Sequence, residues 1–250
     1  MSLRALARRA LPPPLRALLE QFLERRRRAI RYKQTRQSPT DYVAEFDHRS
    51  FRKAKASILW HDDWEQATRQ TLRVLRQVGL VRDGQTVIDY GCGVGRITRA
   101  LAETYRLRLL AVDRSADMRR HARRYIPERC FREGGVELLS DTDLFERLPR
   151  LAGSVDTILF IEVLQHIPEP ILDTLLPRLL PVLSPGGRLF VLGNEHLDVD
   201  AAGRLAPRSS PVADVLERYS RTLRRDVWTD GFAHPRFSFL CSAAPQPSPR

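Results

Sequence analysis

Val87-Ile88-Asp89-Tyr90-Gly91-Cys92-Gly93-Val94-Gly95-Arg96 joins an apolar run, an acid and three glycines at alternate positions. Glycines so placed let the backbone bend sharply and approach a ligand, because no Cβ stands in the way. A helix predicted from Ile97 to Tyr105 would leave unpaired N–H groups facing the turn. A dinucleotide fingerprint puts its third glycine where Arg96 stands, so the G-x-G-x-G spacing argues against a dinucleotide. Asp113 ends the next apolar run, Leu109-Leu110-Ala111-Val112. An acceptor-only carboxylate at that strand end suits the two hydroxyls of a ribose. Glu162 and His166 follow a further apolar run. Imidazole titrates near neutrality, which makes His166 a general-base candidate; orienting its own loop through a backbone hydrogen bond is the competing role.

These groups need a scaffold. Apolar runs predict strands near 86–90, 108–113, 136–140, 155–161 and 187–193, and helices near 95–105, 115–125, 169–183 and 211–223. A helix over 61–80 would put Trp64, Ala67, Thr71, Leu75 and Val78 on its apolar side. Strand–helix alternation implies an α/β fold, Rossmann-like and doubly wound, with a mainly parallel sheet covered on both faces. Two further strands, 226–232 and 236–241, would form a hairpin at the sheet edge. That makes seven strands, the last of them antiparallel. The chain then divides into a basic helical extension (1–60), an α/β domain (61–242) and a flexible tail with three prolines (243–250).

The net charge of +12 over 250 residues is unevenly shared. Residues 1–60 carry 15 Lys and Arg against 5 Asp and Glu, and the remaining body is nearly neutral. The body therefore has no electrostatic reason to bind a polyanion. In the extension, Leu15, Leu18, Leu19, Phe22 and Leu23 form one helical stripe, preceded by Pro12-Pro13-Pro14 and followed by Arg25 to Arg28. Such a helix suits packing on its own domain, an anionic membrane surface through residues 1–36, or a second copy of the chain. The first 19 residues hold arginines and no acid, a transit-peptide trait that the near-lack of serine offsets. Three cysteines (Cys92, Cys130, Cys241) have no C-x-x-C spacing, which speaks against a disulfide framework or zinc site and for a reducing, cytoplasmic setting. No apolar run reaches the ~18 residues of a membrane span.

The stretch Val87 to Gly95 resembles the first motif of class I S-adenosylmethionine-dependent methyltransferases, (V/I)(L/I)D-x-G-C-G-x-G. Val112-Asp113-Arg114-Ser115-Ala116-Asp117-Met118 resembles the second motif of that family. The run Ser154 to Pro168 is similar to its D-x-(I/V)-x-x-x-x-V-L-x-H-(I/V)-x-(D/E)-P pattern, and Ser184-Pro185-Gly186-Gly187 to its L-x-P-G-G turn. The resemblance implies S-adenosyl-L-methionine as cofactor and methyl transfer to an O or N nucleophile of a small-molecule, lipid or glycan acceptor. It places Gly91, Cys92, Gly93 and Gly95 around the methionine portion with Asp89 at its base. Asp113, with Arg114 beside it, would hold the ribose. Met118 would flank the adenine, with simple core filling as the alternative. Asp141 and Thr142 would hold the adenine ring and amino group, or cap the helix that follows. Phe160 and Ile161 would line the cofactor through backbone and apolar contacts. Glu162 and His166 would point toward methyl transfer, with Trp60, Glu195 and His196 as further acceptor-side candidates.

Two departures narrow this reading. Ubiquinone-type O-methyltransferases carry E-x-x-E-H here, and Gln165 replaces the second acid. An amide is a poorer ligand for a hard cation, so no metal is expected. The DNA-methylating branches carry (D/N/S)-P-P-(Y/F) or a Pro-Cys pair after the fourth strand, where this chain has Ile161-Glu162-Val163-Leu164. Two rival readings remain at this point: an RNA methyltransferase using the basic extension for phosphate contacts, and a non-catalytic adaptor that keeps the fold.

Overall fold

Val87 and Ile88 lie at the centre of a seven-stranded sheet and are fully enclosed. The structure, a computed structural model, describes residues 51–58, 64–132, 135–167, 169–193, 197–199, 205–207, 216–228 and 236–243. All of them belong to the unit Val43–Arg250. In chain order the elements are α1 (Phe51–Ile58), α2 (Trp64–Gln77), β1 (Thr86–Tyr90), α3 (Arg96–Thr104), β2 (Arg108–Val112), α4 (Ala116–Tyr125), α5 (Glu128–Arg132) and β3 (Val136–Leu139). They continue with α6 (Asp141–Leu151), β4 (Val155–Ile161), α7 (Glu169–Leu179), β5 (Leu183–Gly193), β6 (Leu197–Val199), β7 (Leu205–Pro207), β8 (Ser220–Trp228) and β9 (Arg236–Ala243). The leading stripe at Leu15 to Leu23 and the Arg25 to Arg28 run lie outside the described residues, as does the tail beyond Ala243.

The sheet order is β3-β2-β1-β4-β5-β9-β8. β1 to β5 are parallel, and β9 runs antiparallel to both β5 and β8. This is the predicted doubly wound α/β architecture with its edge hairpin. β6 and β7 form a separate antiparallel pair.

Alternation along the strands divides the core into two layers. Val87, Leu109, Ala111, Leu159, Ile161, Phe190 and Leu192 pack with Leu75 of α2, Leu101 of α3 and Ala122 and Ile126 of α4. The opposite face carries Ile88, Leu110, Ile158 and Phe160, also fully buried. That face is left to α6 and α7, which lie side by side with the Arg178 guanidinium 4.0 Å from the Phe145 ring. The chain winds from β1 out to β3, then crosses back to β4 on the other side of β1. Open α/β sheets form a crevice at such a reversal, outside the carboxyl ends of the strands.

The five predicted parallel strands stand within a few residues of their expected places. The helix expected over 61–80 is Trp64–Gln77, and all five residues of its predicted apolar side are buried. The helix expected over 211–223 is corrected: one helical turn at 216–219 gives way to β8 at Ser220. Leu216, Tyr219 and Leu223 stand at helical spacing in the sequence, but pairing with β9 over Ser220–Trp228 decides the conformation. Helices α5 and α6 were not foreseen. α6 is announced by Ser140-x-x-Asp143, in which Ser140 Oγ accepts the Asp143 N–H (3.0 Å) and Asp143 Oδ2 accepts the Ser140 N–H (2.9 Å). Ser140 is therefore the cap, rather than Asp141 or Thr142. The three cysteines are buried thiols. Among the described residues no helix is long and apolar enough to cross a membrane.

Candidate active site

The glycine turn is laced to the end of β2. Gly91, Gly93 and Gly95 adopt φ of 77°, 56° and 83°, in the left-handed region that glycine tolerates. Val112 O accepts the N–H groups of both Gly91 (2.7 Å) and Cys92 (2.9 Å), and Cys92 O accepts that of Gly95 (2.9 Å). Asp113 Oδ2 accepts the Gly93 N–H at 2.8 Å. The turn's own donors thus hold its shape. A Cβ on Gly91 would stand 2.4 Å from Val163 Cγ2, and one on Gly95 would stand 2.8 Å from Ile126 Cδ1. Absence of side chains here lets the loop after β4 and helix α4 close on the turn.

Asp113 stands half-buried at the carboxyl end of β2. Its Oδ1 accepts the Ser115 N–H at 2.9 Å while Oδ2 holds Gly93. Each oxygen keeps a second acceptor site, so two hydroxyls of a vicinal diol can still be received. Burial pushes its pKa to about 6, against the two backbone N–H groups and the charge of Arg119.

Asp89 has a different fate. It is 2% exposed, faces α3, and its Oδ2 accepts the Thr98 hydroxyl at 2.6 Å. Burial lifts it to about 6, opposed by Thr98 and by the Arg96 charge. Arg96 itself is buried, donating to Thr68 Oγ1 (3.2 Å) with its guanidinium 5.7 Å from the Trp64 ring. The Cys92 thiol is buried and pushed well above its ordinary pKa by burial and the nearby Asp113 and Asp89. It is a neutral filler of the turn.

The remaining cofactor candidates divide between crevice and core. Met118 is 1% exposed and packs with Ala54, Trp64 and Val94. Phe160 is fully buried beside the Tyr90 ring (5.2 Å), so only its backbone can border a ligand. Ile161 lies on the other face at the strand end. Arg114 and Asp141 pair with each other at 3.6 Å, tying the loop after β2 to the start of α6. Thr142 is exposed and donates its N–H to Asp141 Oδ1 at 3.0 Å.

Glu162 and His166 share the short segment after β4, both half-buried. Glu162 takes φ 60°, the one positive φ outside glycine among the described residues, and donates its N–H to Leu192 O at 2.6 Å. A carboxylate residue held in the left-handed region costs about 1 kcal/mol and marks a functional candidate. His166 ends the 3-10 turn Leu164–His166, where its N–H donates to Val163 O at 2.9 Å. Among the described residues no three His, Cys, Asp or Glu side chains group to hold an ion. Trp60, Glu195 and His196 lie outside the described residues. Sequence reasoning does not single out the Glu162 backbone, the buried Arg96 or the Arg119 charge on Asp113; only the Ser140-x-x-Asp143 box carries a signal it could have used.

Residues 87–187 match a family model described as a methyltransferase domain. A trans-aconitate 2-methyltransferase of Azoarcus sp. (strain BH72) is 38% identical over 128 residues, covering 51% of this chain and 46% of that protein. A ubiquinone biosynthesis O-methyltransferase of Cupriavidus pinatubonensis (strain JMP 134 / LMG 1197) is 32% identical over 109 residues, 43% of this chain and 41% of that protein. The chain thus spans about half the length of the curated relatives it matches. Among solved structures, magnesium protoporphyrin IX methyltransferase from Synechocystis PCC 6803 with bound SAH superposes with a TM-score of 0.56 at 18% identity. That match covers 82% of this chain and 99% of that one, and it speaks for the fold. Strand order, glycine turn and family match agree on a methyltransferase domain over residues 87–187.

Proposed function

We propose that this chain transfers a methyl group from S-adenosylmethionine to an oxygen or nitrogen of a small-molecule acceptor. The observation that carries this reading is Asp113: a half-buried carboxylate at the carboxyl end of β2, one strand from the sheet's reversal point, fixed by two backbone N–H groups and keeping acceptor capacity for a ribose diol. When bound, the cofactor supplies a methyl group already made electrophilic by its sulfonium. The protein's task is then alignment and proton removal. The Gly91–Gly95 turn provides a floor without side chains. Asp113 orients the nucleoside, and the Arg114–Asp141 pair borders its base end. Glu162 and His166 sit on the segment nearest the turn, where an acceptor would lose its proton.

Acceptor chemistry finer than a small molecule, lipid and glycan included, rests on the resemblance alone. The test is calorimetry with S-adenosylmethionine, followed by transfer of radiolabelled methyl from it to fractionated small-molecule extracts. Saturable binding and label in a low-molecular-weight fraction are expected. A chain that binds no cofactor overturns the reading, and label found only in RNA replaces the acceptor class.

A further inference from the structure

We infer that Arg119 is a positioning residue for the cofactor's ribose, because its guanidinium pins the backbone of the residue whose carboxylate receives the diol. This rests on the cofactor reading above. Arg119 lies one turn into α4 and is half-buried. Its Nη1 donates to Asp113 O at 2.6 Å and to Arg114 O at 2.9 Å. One nitrogen thus bridges the two carbonyls that leave β2. The Asp113 side chain is meanwhile held by Gly93 and Ser115. Main chain and carboxylate are fixed from opposite sides, so the carboxylate cannot swing without breaking a charge-assisted bond.

The charge matters as well as the reach. Asp113 is faced by Asp89 from the end of β1, which disfavours its ionised form, and by Arg119 from α4, which favours it. The Cys92 thiol in the turn is neutral. Arg114 on the same loop is paired with Asp141. Arg119 also acts by charge on Asp143 at the start of α6. After the Ser115 and Gly93 N–H bonds, it is the cation among these groups that favours the ionised Asp113 and offsets Asp89.

The experiment is calorimetry with S-adenosylhomocysteine across about pH 5 to 8 on the full chain and three variants. Arg119→Met removes charge and donors while keeping the stem. Its affinity at neutral pH should fall about tenfold, and the midpoint of its pH dependence should move upward. Arg119→Lys keeps the charge but its ammonium ends a bond short of the position of Nη1, so the carbonyl contacts are lost and affinity should fall while the midpoint stays. Arg120→Met, an exposed neighbour paired with Asp117 at 2.7 Å, should match wild type. Wild-type affinity and midpoint in Arg119→Met overturn the inference and leave the cofactor reading standing. If Arg119→Met fails to fold, unchanged affinity in Arg119→Lys overturns it instead. Failure of wild type to bind sinks the cofactor reading itself.

Discussion

Gly91 and Val163 occupy one another's only space: a Cβ on Gly91 would stand 2.4 Å from Val163 Cγ2 and 2.7 Å from Cγ1. The turn after β1 and the segment after β4, which carries Glu162, are thereby seated together. Gly91→Ala adds this overlap to a φ of 77°. It should destabilise the fold by about 3 kcal/mol. Val163→Ala in the same chain should relieve the overlap and leave roughly 1 kcal/mol of backbone strain. Urea unfolding of the single and double variants measures both; an additive pair of losses would refute the contact.

Asp113→Asn tests the ribose carboxylate. The amide nitrogen must face either the Gly93 or the Ser115 N–H, donor against donor. Affinity for S-adenosylhomocysteine should fall about a hundredfold, read by calorimetry. Asp117→Asn in the first turn of α4 should bind as wild type. Undiminished binding in Asp113→Asn removes Asp113 from the site.

Asp89 should leave a signature in stability against pH. Its folded pKa is raised from 3.8 to about 6. The stability it contributes is complete below its unfolded value and is lost as the pH rises through the folded value. A rise of that size corresponds to about 3 kcal/mol. Asp89→Asn keeps a carbonyl for Thr98 and carries no charge. Its stability relative to wild type should therefore climb by up to that amount from about pH 4 to 7, with relief of the Asp89 charge on Asp113 acting in the same direction. Urea midpoints that run parallel over this window would contradict the burial argument.

Ser140→Ala removes one half of the α6 capping box. The expected loss is about 1 kcal/mol, or several degrees in melting temperature, with cofactor affinity little changed. A thermal melt that does not move would mean that α6 holds its start without the cap.

Glu162→Gly separates strain from function. The left-handed backbone at φ 60° suits glycine, so stability should be held or rise by up to about 1 kcal/mol. Methyl transfer should drop if the carboxylate serves the acceptor. An active variant would assign Glu162 to the fold rather than the chemistry.

The sequence by itself determined the strand–helix alternation, the buried side of α2 and the glycine turn after β1. Each of these is local. An apolar period, a glycine that no other residue can replace, and an acid at a strand end are visible in a window of ten residues. The first part of β8 reads as helix because Leu216, Tyr219 and Leu223 carry a helical spacing, and only the ladder to β9 overrides it. The division of labour among the acids was equally hidden. Asp89 and Asp113 both end apolar strands, yet one turns into α3 to meet Thr98 and the other stays at the crevice on two backbone N–H groups. Met118 and Phe160 went to the core for the same kind of reason: whole-sheet packing chooses which face of an element is covered. Distances between loops that lie far apart in the chain, such as Gly91 to Val163 or Arg114 to Asp141, exist only once the sheet has ordered its strands.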